Sequence, residues 1–313
     1  MSQSHAPDTA AVRDMRFAMR LSLAFGALML AGKVTAYVVT GSAAILSDAS
    51  ESVVHLVAVG FAWFSLWLSL KPANPRYLYG FERISFFSAG FEGAMIVVAA
   101  LFIIYATVRK CIEGLGVTHA GAGTLFTLSS AVINAALGWY LVRMGKRTQS
   151  LILEADGKHV LTDSWTSAGV VAGLALVMWT DWKPWDAICA FVVAANILWS
   201  GSSLIWRSIA GLLDTADPRT GNLLRRKLDV LCGELGVQYH GVRFRSTGHR
   251  LLVEVHLLFP GSETVAEAHR LATLLEERLP ETLGQPAEVI THLEASDDHE
   301  AVHRAMHYMG KPD

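Results

Sequence analysis

Six long apolar stretches occupy the first two thirds of this chain and limit the folds that it can adopt. They fall at about 17–39, 42–70, 84–108, 121–142, 160–180 and 185–206. As a helix rising 1.5 Å per residue, each is about long enough to cross a hydrocarbon core of ~30 Å. Only 17% of the 313 residues are charged, whereas soluble chains carry about 25%. The sequence therefore predicts a helical membrane protein with six transmembrane helices.

The chain changes character after Asp214, where charged residues become frequent and no stretch of spanning length remains. This change predicts four regions along the chain. They are a cytoplasmic N-terminal tail at 1–15, a six-helix transmembrane domain at 16–212, a soluble domain at 213–296 and a polar, histidine-containing tail at 297–313.

The soluble domain has a periodicity of its own. Apolar spacing predicts helices at 217–235 and 262–282, the second opened by Ser262 as its cap. Alternating or short apolar runs predict strands at 237–246, 250–259 and 287–294. The order α-β-β-α-β predicts a small α+β domain of the ferredoxin-like, metallochaperone-like kind.

Basic residues are distributed unequally between the two sides of the predicted membrane. With both termini inside, ten basic residues flank the cytoplasmic ends: Arg13, Arg16, Arg20, Lys71, Arg76, Arg83, Arg143, Lys146, Arg147 and Arg207. Three lie outside: Arg109, Lys110 and Lys183. The positive-inside rule thus predicts a multi-pass protein with both termini in the cytoplasm. The compact length and the absence of a signal-peptide pattern favour a bacterial inner membrane. The net charge of −2 gives no reason to expect that the protein binds nucleic acid.

Ionisable residues inside two predicted spans are the most informative feature for function, since such residues are costly in a membrane. Glu51 and His55 lie four residues apart in the second span, and His159 and Asp163 lie four residues apart in the fifth. Residues at this spacing share one helix face. If the two faces meet, they offer two nitrogen and two oxygen ligands to one divalent ion. The alternative is that they are scattered polar groups near helix ends.

Asp48 lies on the same predicted helix face as Glu51 and His55. It is either a further ligand, a hydrogen-bond acceptor for His55, or a solvated group at the mouth of the site. In the fifth span, Gly169 and Gly173 have the spacing of closely packed helices.

Four segments together resemble the cation diffusion facilitators, a family of dimeric exchangers of divalent metals and protons. They are "TGSAAILSDASES", "KPANPRYLYGFERISFFSAG", "EADGKHVLTDSWTS" and "GLLD". The resemblance extends from about residue 14 to 296. It implies a homodimer in a lipid membrane that exports zinc or another divalent metal, with protons as the counter-ion, and it implies no enzymatic activity.

The resemblance also implies which residues form the metal sites and a charge interlock. The family's transmembrane metal site falls on Glu51, His55, His159 and Asp163. Its cytoplasmic metal site, at the dimer interface, falls on His240, His256, His269, His292 and Glu294. A charge interlock near the membrane surface falls on Arg83 and Asp214.

Two nitrogen and two oxygen donors favour zinc, with iron, cobalt, nickel, cadmium and manganese as alternatives. A membrane metal sensor that binds without transporting is the alternative from another class of protein. A membrane-embedded metal hydrolase is disfavoured, because the sequence offers no separate nucleophile or base motif. The "HEAVH" motif at 299–303 matches the zincin pattern, but too little chain follows it to build a protease cleft.

Overall fold

The computed structural model describes residues 9–40, 43–113, 123–182 and 184–297. Inside the helices some side chains also lie outside the described set, among them those of Asp48 and Glu51. Within these ranges the chain divides into two compact units between Leu212 and Leu213. Each unit is described by itself.

Long helices make up the described part of the first unit. They are α1 (Thr9–Thr40), α2 (Ala43–Ser69), α3 (Ile84–Glu113), α4 (Gly123–Arg147), α5 (Leu151–Thr180) and α6 (Pro184–Leu212). Among the residues searched, four segments are long and apolar enough to cross a membrane: Ala10–Thr35, Ile84–Glu113, Leu151–Thr180 and Pro184–Leu212. The predicted helical membrane domain is confirmed.

Glycines allow the helices of this unit to approach each other closely. A Cβ atom at Gly93 of α3 would lie 3.0 Å from the carbonyl oxygen of Gly201 of α6, and one at Gly201 would lie 3.0 Å from that of Gly93. Gly138 of α4 and Gly157 of α5 approach each other in the same way, at 2.9 Å. Helices in a membrane associate through such small residues, because lipid provides no hydrophobic force between them.

The second unit has the predicted order α-β-β-α-β. Its elements are α7 (Pro218–Leu235), β1 (Gln238–Ser246), β2 (Leu251–Phe259), α8 (Val265–Leu283) and β3 (Ala287–Ala295). In the sheet, β2 lies in the centre, antiparallel to β1 and parallel to β3. The α+β class predicted from the sequence is confirmed.

One face of this sheet forms a core with the two helices. Val253, Val255 and Leu257 alternate along β2 and pack with Leu228 of α7 and Leu275 of α8. The residues between them, including His256, therefore lie on the opposite face, away from the core.

Helix α8 begins slightly later than predicted, so Ser262 is not its cap. Thr264 is the N-cap residue, and its hydroxyl accepts a hydrogen bond of 3.2 Å from the backbone N–H of Glu267. Ser262 lies in the preceding turn. Both hydroxyl residues suit a helix N-terminus, and spacing alone did not distinguish them.

Candidate metal sites in the two units

Two imidazoles from different helices meet inside the membrane domain. His55 of α2 and His159 of α5 are stacked, with ring centroids 4.8 Å apart and an interplanar angle of 21°. The Nδ1 atom of each ring is buried and makes no hydrogen bond to any described residue. Buried polar atoms normally have a partner, so the pair presents unused nitrogen donors at one point between α2 and α5.

The charge of Asp163 on α5 acts on His55 of α2. Lys33 of α1 also acts electrostatically on His55, which places a cation beside the site. Gly26 of α1 packs beside His55, since a Cβ atom there would lie in ordinary contact, 3.8 Å from the imidazole carbon Cδ2.

Glu51 and Asp48 lie on α2, four and seven residues before His55. Their side chains lie outside the described residues, so their roles as ligands remain predictions. Of the four predicted transmembrane ligands, the described structure brings His55 and His159 into contact, and Asp163 interacts electrostatically with His55.

Glu92 of α3 also reaches His159, a contact that the sequence did not predict. Its carboxylate is buried, and its Oε2 atom lies 3.6 Å from Nδ1 of His159. The available signal was an isolated acid in the apolar third span, where ionisable residues usually have a function. A pattern of paired residues at helical spacing does not include it, because no titratable residue lies within four positions of Glu92 on its own helix.

In the second unit, strand register aligns three histidines across the sheet. His240 of β1 lies opposite His256 of β2, and His256 lies opposite His292 of β3. A bulge follows His240, where Gly241 adopts a positive φ of 62° and its Cα faces the His256 ring. A Cβ atom there would approach that ring to 3.3 Å, so the close strand contact favours glycine at this position.

Glu294 connects these histidines on the open face of the sheet. Its two carboxylate oxygens lie 2.8 Å from Nε2 of His240 and 2.7 Å from Nδ1 of His256. One ligand atom from each of the three residues lies within 4.8 Å of the others, close enough for all three to hold one ion. His292 lies at the edge of this group, with Nε2 at 3.6 Å from Glu294.

His269 is not part of this cluster within one protomer. It lies exposed on α8, whereas the group that could hold a metal among the described residues consists of His240, His256 and Glu294. Its assignment to the cytoplasmic site remains a prediction.

The open face of the sheet also contains an open pocket. A cavity of about 310 Å³ is lined by Glu254, Val255, His256, Ile290 and His292. Ile290 is 53% exposed, and the side chain of His292 is 67% exposed. The face therefore carries an exposed isoleucine beside histidines that can bind a metal ion.

The predicted interlock residues lie in different units, and each has contacts within its own. Arg83 donates a hydrogen bond of 2.7 Å to the carbonyl oxygen of Leu212. Asp214 lies 3.5 Å from the guanidinium of Arg245. The pairing of Arg83 with Asp214 remains a prediction.

Comparison with known proteins gives two matches to family models. Residues 19–213 match the cation efflux transmembrane domain, and residues 228–296 match the cytoplasmic domain of cation efflux proteins. The two matches correspond to the two compact units.

Individual relatives match most of the chain. An uncharacterized transporter of Synechocystis sp. is 35% identical over 85% of this chain and 86% of its own. A protein of Mycobacterium tuberculosis named "Probable cation efflux system protein" is 29% identical, over 88% of this chain and 82% of its own. The cation-efflux pump FieF of Escherichia coli is 26% identical, over 82% of this chain and 85% of its own.

Proposed function

Because this chain belongs to the cation efflux family of membrane transporters, we propose that it exports a divalent metal ion from the cytoplasm in exchange for protons. The observation that carries this proposal is the stacking of His55 on His159 within the membrane domain. Buried imidazole nitrogens that make no hydrogen bond to a described residue, with the charge of Asp163 acting on His55, are suited to a metal ion that must be bound and released.

Coordination chemistry supplies the coupling to protons. A metal ion binds neutral imidazoles and ionised carboxylates, so binding releases protons and protonation releases the metal. Histidine is the side chain best suited to this exchange near neutral pH. Rocking of the helices would expose His55 and His159 first to the cytoplasm and then to the outside. Inward proton movement would then drive metal efflux.

Zinc is the proposed cargo, with Glu51 completing a set of two nitrogen and two oxygen ligands. Such a four-coordinate set matches the tetrahedral preference of Zn²⁺. Iron, cobalt, nickel, cadmium and manganese are the alternatives that a flux series would separate.

We further propose that the protein acts as a homodimer whose cytoplasmic units meet on the open face of the sheet. The exposed Ile290 and the cluster of His240, His256 and Glu294 on that face support this arrangement. Metal bound there, with His292 and His269 as further donors, would tighten the dimer when cytoplasmic metal rises. In the proposed orientation both termini lie in the cytoplasm, and the membrane is the bacterial inner membrane.

Metal uptake into proteoliposomes under a pH gradient tests the transport function. We expect the wild-type protein to accumulate zinc only when a proton gradient is present. Asp163→Asn removes a charge from the site and should reduce the rate at least tenfold, which corresponds to about 1.4 kcal/mol. The matched control is Asp181→Asn, at the exposed C-terminal end of α5, where transport should be unchanged.

Two results would contradict this assignment. Normal flux in Asp163→Asn would show that the site does not carry the ion. Tight metal binding by the wild-type protein without any uptake would favour the sensor over the transporter.

A further inference from the structure

A second group of buried polar atoms lies next to the histidine pair and has no role in the proposed site. Glu92 of α3 is 1% exposed, Asp156 of α5 is 0% exposed and Ser22 of α1 is 1% exposed. None of their side-chain oxygens makes a hydrogen bond to any residue within the described ranges. An ionised carboxylate buried inside a membrane domain without a hydrogen bond is very costly unless a proton or a bound cation compensates its charge.

Electrostatic interactions place the three side chains, which come from three helices, near one another. The charges of Glu92 and Asp156 act on each other directly. Ser22 of α1 lies near Asp156, where its hydroxyl interacts electrostatically with the carboxylate. The three therefore converge on one place between α1, α3 and α5.

Glu154, another buried acid of α5, differs from this group because it has cationic partners. Its Oε1 atom lies 2.5 Å from Nη1 of Arg207 and 3.2 Å from Nζ of Lys158. The fold therefore supplies two cations to Glu154. Within the described part of the chain, the one ion-pair partner of Glu92 is the imidazole of His159, at 3.6 Å, and Asp156 has none.

The group lies close to the histidine pair along α5. Asp156 precedes His159 by three residues, so both lie on about the same face of α5, roughly 4.5 Å apart along the axis. Glu92 reaches from this level to His159. In the proposed orientation the N-terminal end of α5 faces the cytoplasm, so Asp156 lies on the cytoplasmic side of the histidines.

We propose that Glu92, Asp156 and Ser22 form a second, oxygen-lined cation site, which receives the divalent metal from the cytoplasmic side before His55, His159 and Asp163 bind it. Two carboxylates offset the charge of a divalent ion, and the three residues supply oxygen donors without nitrogen. Such a donor set accepts hard cations such as Mn²⁺ as readily as zinc. This inference rests on the proposed function for its direction, but the site itself can be tested by binding alone.

The experiment counts Mn²⁺ ions bound to the full-length protein in detergent by equilibrium dialysis. The background carries His240→Ala and His256→Ala, which remove the cytoplasmic cluster. In this background, Asp156→Asn and Glu92→Gln should each lose one bound Mn²⁺ per protomer. The matched control, Glu113→Gln, removes an exposed carboxylate paired with Arg109 and should bind as many ions as the background.

Ser22→Ala provides a milder test, since it keeps both carboxylates. It should weaken binding of that Mn²⁺ roughly tenfold, as loss of a supporting group at a metal site commonly does. Visible absorption of bound Co²⁺, which reports tetrahedral coordination by the histidines, should be retained in Asp156→Asn.

An unchanged Mn²⁺ count in both Asp156→Asn and Glu92→Gln would overturn the proposal. If those two variants do not fold, an unchanged affinity of Ser22→Ala for Mn²⁺ would overturn it. Failure of the transport function looks different. There the wild-type protein would show no uptake in vesicles, while the loss of one bound Mn²⁺ in the variants would persist.

Discussion

His159 contacts both the other histidine of the proposed transport site and a buried acid of another helix. Its ring stacks on His55, and its Nδ1 atom lies 3.6 Å from Glu92. The sequence alone predicted that His159 and Asp163 share a helix face, because that relation is local. It could not predict that Glu92 would meet His159, because that contact depends on how α3 packs against α5.

Cys232 of α7 allows a prediction at the same scale. It is 3% exposed in the core of the second unit, and burial, together with the nearby Asp229 carboxylate, raises the pKa of its thiol to about 11. The thiolate is the reactive form. At pH 8 the folded protein should therefore resist alkylation by iodoacetamide, and reaction should become fast only when the pH approaches 11 or the domain unfolds.

Mass spectrometry of the alkylated protein measures this protection. Val230→Cys, at an exposed position on α7, is the matched control and should be labelled readily at pH 8. Equal labelling of Cys232 and the introduced cysteine in the folded protein would contradict the burial of Cys232.

At the scale of elements, close packing of helices positions the transport site. Gly201→Ala would place a Cβ atom 2.9 Å from side-chain carbons of both Ile96 and Val97 and 3.0 Å from the Gly93 carbonyl oxygen. Overpacking of this kind costs about 1–3 kcal/mol, so the variant should melt at a lower temperature in detergent.

The control for this change is Gly60→Ala on α2, where an added Cβ atom meets no atom within 4 Å. It should leave the melting temperature unchanged or raise it slightly, since alanine favours helix. A Gly201→Ala protein as stable as wild type would mean that α3 and α6 do not pack as described.

Elements differ in how well the sequence predicts them. The strands around His256 and His292 were predicted within a residue of their bounds, since their apolar alternation is strong. The sequence also indicated that Gly169 and Gly173 would pack closely. In the structure, added Cβ atoms there would lie 2.6 Å from Val193 and 3.0 Å from the Asp186 Cα atom of α6.

The alignment of His240, His256 and His292 across the sheet could not be predicted from alternation alone. It depends on the order of the strands and on the bulge after His240, which sets the register at that point. The buried group of Glu92, Asp156 and Ser22 was missed for a related reason, because each residue comes from a different helix.

At the scale of the whole molecule, the two metal clusters have separate proposed tasks. His256→Ala combined with His292→Ala should weaken the activation of transport by cytoplasmic metal and leave the transmembrane ligands intact. Initial rates in proteoliposomes, measured against the metal concentration on the cytoplasmic side, should rise less steeply than in the wild-type protein. An unchanged dose response would contradict a regulatory role for the cytoplasmic cluster.

X-ray absorption at the zinc edge is the most direct test of the central claim, that α2 and α5 together hold one metal ion. The sample is the full-length protein with His240→Ala and His256→Ala, loaded with one zinc per protomer. We predict four nitrogen or oxygen ligands at about 2.0–2.1 Å, with the outer-sphere scattering of two imidazoles, and a loss of one imidazole in His55→Ala. A zinc environment without imidazole scattering would contradict the account.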